Sequence, residues 1–464
     1  MSSRASASLA AATALLLGGC VSLAPNYERP AAPVAERFAG DAAGAGAAAT
    51  DIAWQDFFGD PRLKRLIDIA LKNNRDLRIA VLTIEQARAQ HQVRRADEWP
   101  SVGVGATATR QPGTNGGITS LYTVGLAVTG YELDLFGRVH SLSDAALAQY
   151  LGTAEARKAA QISLIAGVAS ACLALLADDE SLAVTNATLA TREESFKLTK
   201  LKFDNGAASE LDFRQAESLL EGAKVALAQQ TRQRAQDENA LVLLLGQALP
   251  ADLPPWQPLT TQQFVADLPA GLPSEVLVRR PDVRAAEQQL VAANANIGAA
   301  RAAFFPRITL TGSVGSASSE LTGLFKSGTF AWTFAPQALL PIFDAGRNRA
   351  NLDVAQVNRD IAVAQYERAI QTAFREVSDA LTGRRTLSEQ LRAQLAQAHA
   401  EEVRYRLADL RYRNGVASYL DVLDAQRALF TAQQAVVQAQ ALQAQNLVSV
   451  YKVLGGGWTE APAR

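Results

Sequence analysis

One stretch of this chain occurs twice, and a fold must accommodate both copies. Residues 203–212 read FDNGAASELD and residues 412–421 read YRNGVASYLD, 209 positions apart, and the copies close on Gly246 and Gly455 at the same offset. In each copy an Asn-Gly pair (Asn205-Gly206, Asn414-Gly415) separates two long helical patterns. Asn and Gly tolerate the left-handed backbone that a helix reversal needs. After the second break, Leu420, Leu423, Arg427, Phe430, Gln434, Val437, Ala441, Ala444, Val448 and Tyr451 alternate steps of three and four, the spacing of a coiled-coil seam. The chain is therefore read as a duplicated unit of helical hairpins.

The lead-in to each hairpin is duplicated as well. Residues 76–99 and 282–305 read as helices ended by Pro100 and Pro306. Behind each Pro come two alternating runs. Val102, Val104, Ala106 and Ala108, then Tyr122, Val124, Leu126 and Val128, fall in 100–137. Ile308, Leu310, Gly312 and Val314, then Phe330, Trp332 and Phe334, fall in 306–346. Period-two runs of about ten residues suit tilted strands crossing a bilayer. A Gly-Arg pair (Gly137-Arg138, Gly346-Arg347) then opens the helical hairpins 138–246 and 347–454, which contain no proline. From Arg138 to Asp204 a continuous helix would reach ~100 Å at ~1.5 Å per residue. Residues 51–75, the Pro-rich joint 247–281 and the tail 455–464 complete the layout. Four strands cannot close a membrane barrel, and lipid tolerates no open edge, so several chains must pool strands. Three chains would give twelve.

The N-terminus points to an envelope location. Arg4, an apolar run from Leu9 to Leu17, and Leu17-Gly18-Gly19-Cys20 resemble a bacterial lipoprotein signal, with 1–19 removed as signal peptide. Such a signal implies a diacylglycerol and an N-acyl chain (palmitate is typical) on Cys20. Val21 in place of Asp favours the outer membrane. Residues 20–50, rich in Pro, Gly and Ala, read as an extended tether. Beyond Cys20 no continuous apolar run of about 18 residues stands out, so no transmembrane helix is expected. A net charge of −1 gives no case for nucleic acid. The other cysteine, Cys172, lies in an apolar helical run and reads as buried packing.

With these features the chain resembles the TolC/OprM family of outer-membrane efflux proteins, in the NodT-like lipoprotein branch serving resistance-nodulation-division pumps. Cys20, the LAPNYERP that follows and the paired tip motifs carry the resemblance. It implies a mainly α fold with a small β part: a homotrimer with a 12-stranded membrane β-barrel continued by a 12-helix periplasmic α-barrel. It implies a passive exit duct, with a periplasmic membrane-fusion adaptor and an inner-membrane resistance-nodulation-division transporter as partners. Asn205, Gly206, Ala207, Asn414, Gly415 and Val416 match the adaptor-docking tips. Leu420, Asp421, Asp424 and Arg427 match the periplasmic gate, and Tyr412 with Asp212 matches the tip latch. Ala417 stands where the TolC pattern has an Arg, so a second latch bond is not expected. By spacing alone, Leu420, Asp424 and Arg427 share one helical stripe, which an ordinary solvated face would also produce.

No P-loop, metal-spaced Cys/His set or nucleophile elbow is found, so the chain reads as a conduit without metal or other cofactor rather than an enzyme. A type I protein-secretion outlet is the alternative within transport. A lipid-anchored periplasmic adaptor is the alternative from another class; such proteins usually carry one hairpin with small β-domains.

Overall fold

A computed structural model describes residues 22–36, 38, 52–112, 116–264 and 274–458. The signal peptide, Cys20, residues 39–51 and the tail from 459 lie outside the described residues. In chain order the elements are α1 (Trp54–Phe57), α2 (Pro61–Asn73), α3 (Arg75–Ala96), β1 (Val102–Pro112) and β2 (Ile118–Leu133). Then follow α4 (Arg138–Asp204), α5 (Glu210–Leu245), α6 (Pro281–Ala302), β3 (Arg307–Ser318) and β4 (Phe330–Leu339). The chain finishes with α7 (Arg347–Arg413) and α8 (Tyr419–Val453). The duplication survives in detail: α4 and α7 are each 67 residues long. The chain divides into two compact units.

The first unit comprises the N-terminal residues to Ala32, Leu82–Glu155 and Arg284–Ala369. Its sheet is antiparallel throughout, in the order β1-β2-β3-β4. Paired residues share a face, so the register merges the four alternating runs of the sequence into one. Val104 faces Leu126, Leu126 faces Val314, and Val314 faces Trp332. That face is apolar and uncovered by the chain itself; Trp332 is 68% exposed. The other face carries Thr and Ser, with Thr107 bonded to Thr123 (2.6 Å) and Ser313 to Thr333 (2.7 Å). β2 is longer than expected at 16 residues, because the ladder shifts register between Val128 and Tyr131, where Gly130 takes a φ of 67°. Below the shift, Glu132 joins the sheet to α4: it accepts from Arg138 (2.7 Å) and from Arg307 (2.6 Å).

The N-terminal segment, read as an extended tether, is described from residue 22 onward. It is extended, but it is fastened along α6 by polar residues seven apart. Arg301 donates to the Leu23 carbonyl (3.0 Å) and Asn294 to the Pro25 carbonyl (2.7 Å). Glu287 receives the Tyr27 hydroxyl (3.0 Å) and both arms of Arg29 (2.7 and 3.0 Å). A Cβ on Gly298 would lie 2.8 Å from the Ala24 nitrogen, so only glycine lets this strap lie flat. Beside it, Ala145, Ala148, Ala292 and Ala295 let α4 and α6 approach closely.

The second unit comprises Pro33–Val81, Ala156–Val283 and Ile370–Arg464. Phe57 stacks on Tyr451 (4.0 Å), whose hydroxyl donates to the Ile52 carbonyl (2.6 Å). Arg280 ties Asp282 (2.7 Å), Glu376 (2.8 Å) and the Val453 carbonyl (2.9 Å) together. The α4 stretch around Cys172 corrects the sequence reading, since by length and composition it is apolar enough to cross a membrane. Within this unit its apolar character is used for packing. Val168, Ala169, Cys172 and Leu173 are each at most 1% exposed, and Gln445 of α8 donates to the Ser170 carbonyl. The α8 seam packs from Val437 to Tyr451 as its spacing predicts, while Leu420 and Arg427 at its lower end are exposed.

Gly125 and Gly315 face each other across β2 and β3, and a Cβ on either would run into the opposing backbone. Gly315→Val should therefore destabilise the sheet by about 3 kcal/mol or more. Loss of the heat-modifiable folded band on gels would register it.

Candidate functional site

The two reversals are built alike. Asn205 donates its side-chain amide to the Leu201 carbonyl and Asn414 to that of Leu410, both at 2.7 Å. Gly206 and Gly415 take φ values of 71° and 72°. The returning helices each start on a capping box. Ser209 accepts from the Asp212 amide (3.1 Å) while Asp212 accepts from the Ser209 amide (3.3 Å). Ser418 and Asp421 repeat the exchange at 3.3 and 3.2 Å. Ala207 and Val416 project from the turns into solvent, Val416 being 64% exposed. Exposed leucines flank both reversals at equivalent positions: Leu198, Leu201 and Leu211, then Leu407, Leu410 and Leu420.

This geometry revises two expectations. Asp212 does not bond Tyr412 in this structure; its Oδ2 accepts from Ser209, whose hydroxyl lies 2.7 Å away. The Tyr412 hydroxyl instead accepts from Lys202 (3.0 Å), whose ammonium sits 4.7 Å from the ring centre. Asp421 is likewise a helix cap first, satisfying an otherwise orphaned amide. Asp424 and Arg427 do pair, at 3.3 Å, and both side chains are half exposed. Asp421 and Asp424 line one groove of ≈ 640 Å³ with Arg404, Arg411 and Ala417. Leu420, Asp421, Asp424 and Arg427 are thus grouped at the start of α8, with Asp424 and Arg427 half exposed and paired with each other and Asp421 bonded to the turn. Leu420 stands 48% exposed at the same helix start.

Sequence reasoning missed Arg192. It lies in a charged run, Arg192-Glu193-Glu194, that reads as a solvated face, yet it is 6% exposed. Only knowledge of which α4 face meets α5 and α8 could have singled it out.

Higher on the same hairpin, Asp178 and Asp179 of α4 meet α5. Asp179 pairs with Arg234 (2.5 Å), which also holds Glu238 (2.7 Å). Asp178 faces Asp237, which accepts from Gln233 (3.1 Å). Burial, followed by the Asp237 carboxylate, pushes Asp178 up to about 7.

Comparison with known proteins gives one family. The family described as outer membrane efflux protein matches residues 66–247 and 272–456. The antibiotic efflux pump outer membrane protein ArpC of Pseudomonas putida is 48% identical over 462 residues, covering 97% of this chain and 95% of that protein. The toluene efflux pump outer membrane protein TtgI of Pseudomonas putida is 49% identical over 458 residues, covering 96% and 97%. Among solved structures, the open state of the MtrE outer membrane channel of Neisseria gonorrhoeae superposes with a TM-score of 0.86. It is 46% identical, covering 94% of this chain and 99% of that one.

The Asp178 environment makes a testable statement. Its folded-state value lies above the ordinary carboxylate range, so folding takes up a proton there. The stabilisation is full below about pH 4 and is lost as pH rises through about 7. Asp178→Asn should flatten this dependence and raise stability on the alkaline side. Thermal midpoints of the detergent-purified protein at about pH 5 and about pH 8 would check it.

Proposed function

Because the chain belongs to the outer membrane efflux protein family, we infer that it is the outer-membrane exit duct of an efflux pump, passing small molecules out of the cell without chemistry of its own. The observation that carries this is the sheet: four strands of membrane-spanning length, one apolar face that the chain leaves bare, and two open edges at β1 and β4. Such a sheet is incomplete alone, since unpaired edge amides are not tolerated in lipid. A homotrimer pooling twelve strands closes it.

The finer reading follows from the tips. A periplasmic adaptor docks at Asn205–Ala207 and Asn414–Val416, where the two copies present equivalent turns and leucines. It couples the duct to an inner-membrane resistance-nodulation-division transporter, which supplies the energy. The alternatives of a type I secretion outlet or a periplasmic adaptor gain no support from the relatives' names, which are those of efflux pump outer membrane proteins. Cys20 carries the acyl anchor. Metabolic labelling with palmitate, lost in Cys20→Ser, checks that assignment.

Asp424, Arg427 and Leu420 form the gate at the start of α8. An iris-like shift of this helix, triggered by docking, widens the aperture. Replacing Asp424 and Arg427 together by Ala should raise single-channel conductance in planar bilayers several-fold. Conductance equal to that of the parent protein would remove these residues from the gate.

A further inference from the structure

Arg192 is the buried charge that the channel reading leaves unused. On α4 it reaches the place where α5 and α8 pack. One guanidinium nitrogen donates to the Leu219 carbonyl of α5 at 3.0 Å. The guanidinium carbon lies 5.3 Å from the centre of the Phe430 ring of α8. Its Nε is buried with no partner. No carboxylate among the described residues compensates it. Burial lowers its affinity for the proton, and the one charge bearing on it is another cation, Arg427.

The duplication supplies an internal control. At the 209-residue offset, Arg192 corresponds to Glu401 and Phe430 to Glu221. Glu401 pairs with Arg404 (3.0 Å) and Glu221 with Lys224 (2.8 Å), each within its own helix. The Arg192–Phe430 contact is therefore no relic of the repeat. It arose where α8 packs on α4, one helical turn from Arg427.

A cation out of water without a counter-ion is costly, and an aromatic face offsets only part of that cost. Moving α8 off α4 would lift Phe430 away and admit water to the guanidinium. The packed arrangement is thus loaded against itself, and it becomes more so whenever Arg427 is not neutralised. Asp424, 3.3 Å from Arg427, neutralises it.

We propose that Arg192 is a stored charge biasing α8 toward release, and that Asp424, beyond its place in the gate, opposes this bias by cancelling Arg427. This rests on the reading of Asp424 and Arg427 as the gate. Arg192 is then a positioning residue of that gate, acting through Phe430 and Arg427 with no access to the permeating species.

Single-channel conductance of the full-length protein tests it, with the heat-stable trimer on gels confirming assembly of each variant. Asp424→Ala should raise conductance. Adding Arg192→Met should return it to the parent level, because the neutral side chain unloads the packed state. Adding Arg192→Lys, which keeps the charge, should leave it raised. Equal conductance of Asp424→Ala with and without Arg192→Met overturns the proposal. Restoration by Lys as complete as by Met also overturns it, since packing and not charge would then be responsible. If Asp424→Ala behaves as the parent, the gate reading falls and this inference falls with it. Phe430→Leu gives an independent arm that keeps Arg192. Uncovering the cation should raise conductance, and an unchanged value counts against the proposal.

Discussion

Backbone hydrogen bonding in a solvent that offers none is the constraint on which this protein depends. The sheet satisfies its own interior amides but not those of β1 and β4, and its apolar face suits only lipid. Association follows from that deficit before any side chain is considered. The Glu132 junction to Arg138 and Arg307 then matters because the sheet needs a rigid attachment to α4. The paired glycines 125 and 315 belong to the same economy of space, allowing two strands to approach without side chains between them.

Duplication followed by divergence explains the helical part. Both copies keep a 67-residue helix, an Asn-Gly reversal and a Ser/Asp cap, so the turn geometry is shared to within a degree or so of φ. What diverged is the packing above the turns. The first copy's long helix carries the apolar run around Cys172, which α5 and α8 cover, whereas the second copy has Arg375, Glu376, Arg384 and Arg385 in its comparable stretch. The ends of the two hairpins are therefore equivalent while their shafts are not. The proposed gate is thus asymmetric while the turns proposed for docking are alike.

Much of this was legible in the sequence for identifiable reasons. Alternation placed Val104, Leu126, Val314 and Trp332 each with the apolar residues of its own strand, because period two leaves no other option; that the four runs form one face depends on the ladder register. The absence of proline after Arg138 and Arg347 allowed the long helices. The capping roles of Asp212 and Asp421 were open to reading too, since a Ser followed three residues later by an acid is a capping signature. The strap was not legible. An extended Pro- and Ala-rich segment has no periodicity, and its anchors Glu287, Asn294 and Arg301 lie more than 250 residues away. The same holds for Arg192, whose burial depends on how three helices meet.

The strap also has a mechanical meaning. It runs antiparallel to α6, with contacts at Arg301, Asn294 and Glu287 spread over about 20 Å of helix at ~1.5 Å per residue. Tension applied upstream of Ser22 along that helix strains all three contacts in shear and cannot break them one after another, as a transverse peel would. A load arriving from the N-terminal end is thus shared along α6, with the doubly bonded Arg29–Glu287 pair among the contacts that carry it.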